Sequence, residues 1–371
     1  MAPTQDALYA DIDLELSWSE RELPERVRTK HVHRLHPYLG KFVPQLVEIL
    51  LARYVPRGGR VLDPFAGSGT TLVQALESGY DATGMDIAAF NVLLAGVKTR
   101  SYNLFVLERE LRDVVSKLDA LPRPHARPTR YLREWFAPQS ARELLAFREL
   151  LQDYEHRDVL SVVLARSARS ARRTTHFDLD FPSAPVTGPY WCHKHKRECM
   201  PVESALRFLR RYSLDTLTRI KEFARVRSRA AGAEAIHGDA RVAEYAHTFD
   251  GVITSPPYPG LIDYHEQHRV AYELLGLDDL SGFEVGAARA GTSRAALEAY
   301  AISIADVLAA ARASLRRGAP IVVVVNDRHD LYPEIFARAG VRLEERFRRH
   351  VNRRTGRRAG EFYEDVLVAR A

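Results

Sequence analysis

The segment Arg60-Val61-Leu62-Asp63-Pro64-Phe65-Ala66-Gly67-Ser68-Gly69-Thr70-Thr71 constrains this chain more than any other. Its first three residues read as a short buried strand, entered through the turn Pro56-Arg57-Gly58-Gly59. A glycine-bearing turn then opens a helix over 70–78, which Gly79 closes, and 81–85 reads as the next strand. Strand, tight turn, helix and strand form the unit of an open, mostly parallel α/β sheet with helices on both faces.

The same rhythm returns late in the chain. Strands are expected at 234–237, 249–254 and 321–325, with a long helix over 293–316 stopped by Gly318. The runs 341–350 and 362–369 read as a C-terminal β-hairpin joined by an arginine-glycine turn. Upstream, Val43, Leu46, Val47, Leu50 and Leu51 recur at helical spacing, so 43–54 is a helix. Between the two α/β parts, 105–230 is mostly helical, broken by Pro122-Arg123-Pro124 and an irregular stretch at 174–201. The expected organisation is a loosely attached leader, 1–30, and one α/β domain made of 31–104 and 231–371. A helical insertion, 105–230, lies between its second and third strands.

The glycine turn is not a dinucleotide fingerprint, because Leu72 stands where a third glycine or alanine belongs. It also lacks the lysine of a phosphate-binding P-loop. Asp63 at the strand end is a liability beside a pyrophosphate and an asset beside an ammonium. The local chemistry therefore favours a nucleoside that carries an amino acid. Asp86, 23 positions later, ends the second strand and can accept from ribose hydroxyls. Asp239, within Gly238-Asp239-Ala240-Arg241, can accept from an adenine amino group. Three acids at three successive strand ends favour a ligand over simple helix caps.

Thr254-Ser255-Pro256-Pro257-Tyr258 ends the strand at 249–254. Two prolines stiffen the backbone and remove two amide donors, which leaves carbonyls and the Ser255 hydroxyl as acceptors beyond the strand. Tyr258 offers a flat face for stacking. Together, Asp63-Pro64-Phe65-Ala66-Gly67-Ser68-Gly69-Thr70 and Ser255-Pro256-Pro257-Tyr258 resemble the amino-methylating DNA methyltransferases of bacterial restriction-modification systems. His36-Pro37-Tyr38-Leu39-Gly40-Lys41-Phe42 resembles a third element of that family, which packs on the methionine end of the cofactor. The resemblance covers roughly 31–95 and 233–370.

What the resemblance implies is a Rossmann-like class I methyltransferase fold and S-adenosylmethionine as cofactor. Tyr38, Lys41, Phe42, Asp63, Pro64, Phe65, Ala66, Gly67, Ser68, Gly69, Thr70, Thr71, Asp86, Ile87, Asp239 and Ala240 would hold it. Ser255, Pro256, Pro257 and Tyr258 would act on a base flipped from double-stranded DNA, by direct displacement. Serine at position 255 points to cytosine N4, with adenine N6, usually marked by aspartate or asparagine there, as the alternative target. Asp263 and Tyr264 are candidates to line the base pocket, or a helix cap and a packed ring. A cognate restriction endonuclease is the companion such enzymes imply. Carbon-5 cytosine methylases need a Pro-Cys nucleophile, and neither Cys192 nor Cys199 follows a proline.

The net charge of +6 matters less than its placement, in arginine-rich clusters at 166–173, 207–229 and 346–358. Arg166, Arg169, Arg172 and Arg173 in the insertion, and Arg353, Arg354, Arg357 and Arg358 in the hairpin turn, are candidate DNA contacts. The insertion is the candidate target-recognition region. Two cysteines rule out a disulfide framework and fit a reducing cytoplasm. No apolar run approaches the ~20 residues of a membrane span. The polar, acidic start is not a signal peptide. Cys192, His195 and Cys199 lack a familiar zinc spacing and fit one helix face, so no metal is expected. The rival readings are an RNA base methylase, although no separate RNA-binding module is recognisable, and a DNA-binding subunit without chemistry.

Overall fold

The computed structural model describes residues 16–18, 21–40, 43–176, 182–351 and 362–371. After a short helix α1 (Glu25–Arg28) comes α2 (Pro44–Tyr54), and then the constraining segment as expected: β1 (Arg60–Asp63), α3 (Thr70–Ser78) and β2 (Asp81–Asp86). Gly79 closes α3 in the left-handed conformation, φ +83°. Helix α4 (Ala89–Thr99) leads into the insertion. The sheet resumes with β5 (Ala233–His237), β6 (Gly251–Thr254), β7 (Pro320–Val325), β8 (Arg342–Val351) and β9 (Phe362–Arg370), the insertion carrying β3 and β4.

The seven strands lie in the order β5-β2-β1-β6-β7-β9-β8. Only β9 runs against the others, paired antiparallel with both β7 and β8. This is the Rossmann-like class I methyltransferase architecture, with its C-terminal hairpin completing one edge. All six residues of β7 are buried. Between β6 and β7 come α10 (Tyr264–Gln267), α11 (Arg269–Leu275) and α12 (Arg294–Ala313), and Ile321, Val323 and Val325 pack on one face, against α12 and α13 (Tyr332–Ala339). Val322 and Val324 pack on the other, against Leu46, Val47, Leu50 and Leu51 of α2. A parallel strand covered on both faces needs such a continuous apolar run. Ser293 caps α12 by accepting from the Ala296 N–H at 3.3 Å.

The insertion comprises α5 (Leu104–Lys117), α6 (Arg130–Trp135), α7 (Pro138–Leu150), α8 (Arg157–Ala171), the hairpin of β3 (Tyr190–Cys192) and β4 (Arg197–Cys199), and α9 (Leu206–Val226). It lies between the second and third strands, as the interrupted rhythm predicts. Its core is not its own: Leu111, Leu144, Phe147 and Val163 share one cluster with Phe90 and Leu94 of α4.

Two expectations are overturned. The leader is not loose where it is described: Leu16 is fully buried, Trp18 bridges to Val351, and the His350 N–H donates to Ser17 Oγ at 3.1 Å. A leucine in this core excludes water from the back of the sheet, which holds the segment down. The second concerns Cys192, His195 and Cys199, which do not share a helix face. The two cysteines belong to antiparallel strands with Trp191 opposite Glu198, and His195 sits in the turn between them. Trp191 and the Pro189-Tyr190 entry favour extended backbone over a helix here. The arginine-glycine turn of the C-terminal hairpin lies outside the described residues. No helix among the described residues is long and apolar enough to cross a membrane.

Candidate active site

The strand order reverses between β1 and β6, so a crevice opens beyond their carboxyl ends. Two loops meet there, one after Asp63 and one after Thr254. The first is set by backbone demands. Gly67 and Gly69 have φ of +49° and +76°. A Cβ on Gly67 would stand 2.8 Å from Tyr38 Oη, and one on Gly69 2.9 Å from Ala95 Cβ. The Ala66 N–H donates to the Met85 carbonyl at 2.9 Å, and the Gly67 N–H to the Asp86 carboxylate at 2.8 Å. Beneath the loop, the buried Lys98 ammonium donates to the Ser68 carbonyl at 2.6 Å. Leu72 explains the missing third glycine. It packs on Gly84 of β2, where a Cβ would lie 2.6 Å from Leu72 Cδ1, so the close helix–strand approach comes from the strand's glycine instead.

The three acids have different fates. Asp63 does not line the cleft. It is buried and accepts from Thr254 Oγ1 at 2.6 Å and from the Phe65 N–H at 3.1 Å, so it ties β1 to β6 beneath both loops. Burial outweighs these donors and pushes its pKa up to about 6. The expected contact with an ammonium is therefore corrected: the neighbouring strand's hydroxyl has captured the carboxylate. Asp86 does line the cleft. It accepts from the Gly67 and Ala88 N–H groups and from Asn91 Nδ2, and burial raises its pKa. Three donors on a group with about four acceptor positions leave one for a ligand hydroxyl. Asp239 also lines the cleft, but its carboxylate forks onto the Arg241 guanidinium at 2.6 and 2.9 Å, which holds its pKa low. Most of its accepting capacity is thus spent within the chain.

Pro64, Phe65, Ala66, Gly67, Ser68 and Thr70 line the cleft from the first loop, and Ile87 and Ala240 from the ends of β2 and β5. Gly69 and Thr71 do not; Thr71 is fully buried behind the loop. Tyr38 forms a wall, its ring stacked between Tyr264 at 5.7 Å and His268 at 5.4 Å, and its hydroxyl accepts from Asn91 at 3.1 Å. Lys41 and Phe42 lie outside the described residues. The second loop contributes Ser255 and Pro257; Pro256 is buried behind them. Tyr258 is half-buried, does not line the cleft, and donates its hydroxyl to Glu364 of β9 at 2.9 Å. Burial beside that carboxylate pushes the phenol's pKa well up. Of the two further candidates, Tyr264 lines the cleft, whereas Asp263 pairs with Arg289 at 3.5 Å.

The sequence held no sign of Asn91, Lys98 or Glu284. Glu284 lines the cleft while nearly buried, and its Oε1 accepts from the His265 backbone N–H at 2.8 Å and from the His265 ring. Its Oε2 has no hydrogen-bond donor, and the nearest cation, Arg289, is 3.8 Å away. It comes from a motif-free loop that reaches the site only through folding.

Counted with the open solvent at its mouth, the cleft spans about 800 Å³. Its walls suit S-adenosylmethionine. Phe65, Ile87, Ala240 and Val307 are apolar enough for a purine, Asp86 keeps an acceptor for a ribose hydroxyl, and Glu284 presents an unsatisfied carboxylate oxygen for an ammonium. Among the described lining residues there is no lysine or arginine to neutralise a polyphosphate.

The candidate DNA contacts divide. Arg166 is corrected: only 14% of its side chain is exposed, it pairs with Asp215 at 2.6 Å, and its guanidinium lies over the Tyr212 ring at 4.1 Å. Arg169 lies near His36 and His268. Burial and that charge hold both imidazoles well below their ordinary pKa. Arg172 sits over Trp135 at 6.0 Å, and the Nε atoms of Arg172 and Arg173 have no hydrogen-bond partner. Arg353, Arg354, Arg357 and Arg358 lie outside the described residues.

A family model for a DNA methylase matches residues 8–95. The type II methyltransferase M.MjaII of Methanocaldococcus jannaschii is 35% identical, over 93% of this chain and 81% of that protein. The type II methyltransferase M.BsoBI of Geobacillus stearothermophilus is 23% identical, over 68% of this chain and 54% of that one. Among solved structures, TrmN from Thermus thermophilus aligns at 13% identity with a TM-score of 0.36, covering 90% of this chain and 50% of that one.

Proposed function

Because the chain belongs to the DNA methylase family that modifies exocyclic amino groups with S-adenosylmethionine, we propose that it methylates the N4 amino group of cytosine in double-stranded DNA. The observation that carries the choice of base is Ser255, held at the end of β6 in the wall of the cofactor cleft. Bound there, S-adenosylmethionine supplies an electrophilic methyl group on a sulfonium. The chain's own residues hold the amino nitrogen for attack. Ser255 Oγ and the Pro256 carbonyl accept hydrogen bonds from its two N–H groups, which leaves the lone pair free to face the methyl group. As the new N–C bond forms, the methyl–sulfur bond would break with its electron pair going to sulfur, and one of the nitrogen's protons then leaves for water. The two prolines keep these acceptors fixed, so positioning supplies most of the rate. Tyr258, its phenol anchored on Glu364, is the stacking platform for the flipped base. Asp86 and Glu284 orient the cofactor's ribose and ammonium.

The insertion reads the DNA sequence in this proposal, with Arg169, Arg172 and Arg173 and the hairpin-turn arginines on the backbone. The enzyme would work in the cytoplasm, beside a restriction endonuclease cutting the same site. The decisive experiment expresses the chain in a host lacking the modification and analyses nucleosides of the host DNA by mass spectrometry. N4-methylcytosine is expected. N6-methyladenine would overturn the choice of base, and methylation confined to RNA would overturn the substrate.

A further inference from the structure

The hairpin of β3 and β4 is too small to stand alone, since each strand has three residues. Its pairing puts Tyr190, Cys192, Arg197 and Cys199 on one face, with Trp191 and Glu198 on the other. Both cysteines are buried and unbridged. Two imidazoles close over them. His176, from beyond the end of α8, places Nδ1 3.2 Å from Cys192 Sγ and 2.9 Å from the Tyr190 hydroxyl, a contact that zinc on that nitrogen would replace. His195, from the hairpin turn, places Nδ1 3.5 Å from Cys199 Sγ. The two rings lie 4.6 Å apart, and one ligand atom from each of the four residues falls within 4.8 Å of every other.

We propose that His176, Cys192, His195 and Cys199 form a structural zinc site that staples this hairpin to the end of α8. Zinc bonds of about 2.3 Å to sulfur and 2.0–2.1 Å to nitrogen, in a tetrahedron, separate sulfur from nitrogen by about 3.5 Å. The two nitrogen–sulfur distances, 3.2 and 3.5 Å, lie just below and at that value. Two thiolates neutralise the ion, and their protons pass to solvent on binding. All four positions are filled by side chains, which makes the site structural and leaves no open position for chemistry. The staple fixes a ribbon whose exposed residues include Trp191, Lys194, Lys196 and Arg197. A second acid–imidazole group, Glu110, Glu155 and His156, needs no ion, because Glu110 already accepts from both backbone N–H groups and the His156 ring.

The test uses the full chain, purified without chelators or metal-affinity resin. Elemental analysis should find about one zinc per chain. Replacement by cobalt should give the intense d–d bands of a tetrahedral site with a thiolate charge-transfer band. Cys199→Ser should weaken that band markedly, with Cys192 the one thiolate left. His195→Ala, at an exposed position chosen to spare the fold, should weaken zinc binding at least about tenfold. A chelator should lower the melting temperature of the parent and not of the variants. Less than about a tenth of an equivalent after incubation with zinc chloride would overturn the site, as would a cobalt spectrum unchanged in Cys199→Ser. A mass showing Cys192 and Cys199 joined as a disulfide would overturn it equally.

Discussion

At the scale of single residues, the proposed reaction rests on atoms held still. In it Ser255 is the acceptor at a rigid strand end, and Ser255→Ala removes it with little change in shape. Its kcat should fall about 10²–10³-fold, with cofactor affinity within about twofold of the parent by calorimetry. Gly67 answers to sterics. Gly67→Ala must place a Cβ 2.8 Å from Tyr38 Oη at positive φ, so cofactor affinity should fall at least about tenfold in equilibrium binding.

Asp63 is a question of pH. Its folded pKa, about 6, lies above the unfolded value near 3.9, so the folded state holds the proton more tightly. Its contribution to stability is complete below the unfolded pKa and is lost as pH rises through 6. Asp63→Asn keeps an acceptor for Thr254 and the Phe65 N–H without the charge. Thermal melts should therefore show the variant gaining on the parent between pH 4 and 6, reaching on the order of 1–3 kcal/mol at neutral pH. A constant difference across that range would mean the carboxyl is ionised throughout.

At the scale of elements, the same residue type does different work according to its neighbours. Arg166 belongs to a cluster that reads from sequence as a phosphate footprint, yet Asp215 and Tyr212 hold it against α9. Arg166→Ala takes from Asp215 its closer cation and leaves Arg219 at 3.4 Å, so it should cost about 1–3 kcal/mol in denaturant unfolding while DNA affinity changes less than twofold. A large loss of DNA affinity at unchanged stability would return the residue to the interface. The strand and helix boundaries were legible because period and punctuation are local: α3 runs over the predicted residues, stopped by Gly79. The hairpin of β3 and β4 was not, because three-residue strands carry too short an alternation to be told from one face of a helix.

At the scale of the whole molecule, residues 16–18 and the insertion both pack into the α/β core. Leu16 is buried in the core shared by α2, α3 and the sheet. Leu16→Ala should therefore destabilise the enzyme by about 2–4 kcal/mol, read as a lower denaturant midpoint. A midpoint unchanged by that substitution would restore the picture of a loose leader. The insertion likewise shares its core with α4, the helix that carries both Asn91 and Lys98 to the cofactor loop.

The sequence alone determined the parallel sheet, the place of the insertion, the cofactor loop and the loop that begins at Ser255, since each is written in consecutive residues whose backbone chemistry leaves few alternatives. Only the tertiary structure decided which acids face the cleft. Asp63 is captured by Thr254 from the neighbouring strand, Asp239 by Arg241, and Glu284 arrives from a loop nearly two hundred residues beyond Asp86. The same holds for His176, which joins two cysteines and a histidine it does not adjoin in the chain. Spacing along a chain reports what one element can present. What several elements bring within hydrogen-bonding distance depends on how their buried faces pack.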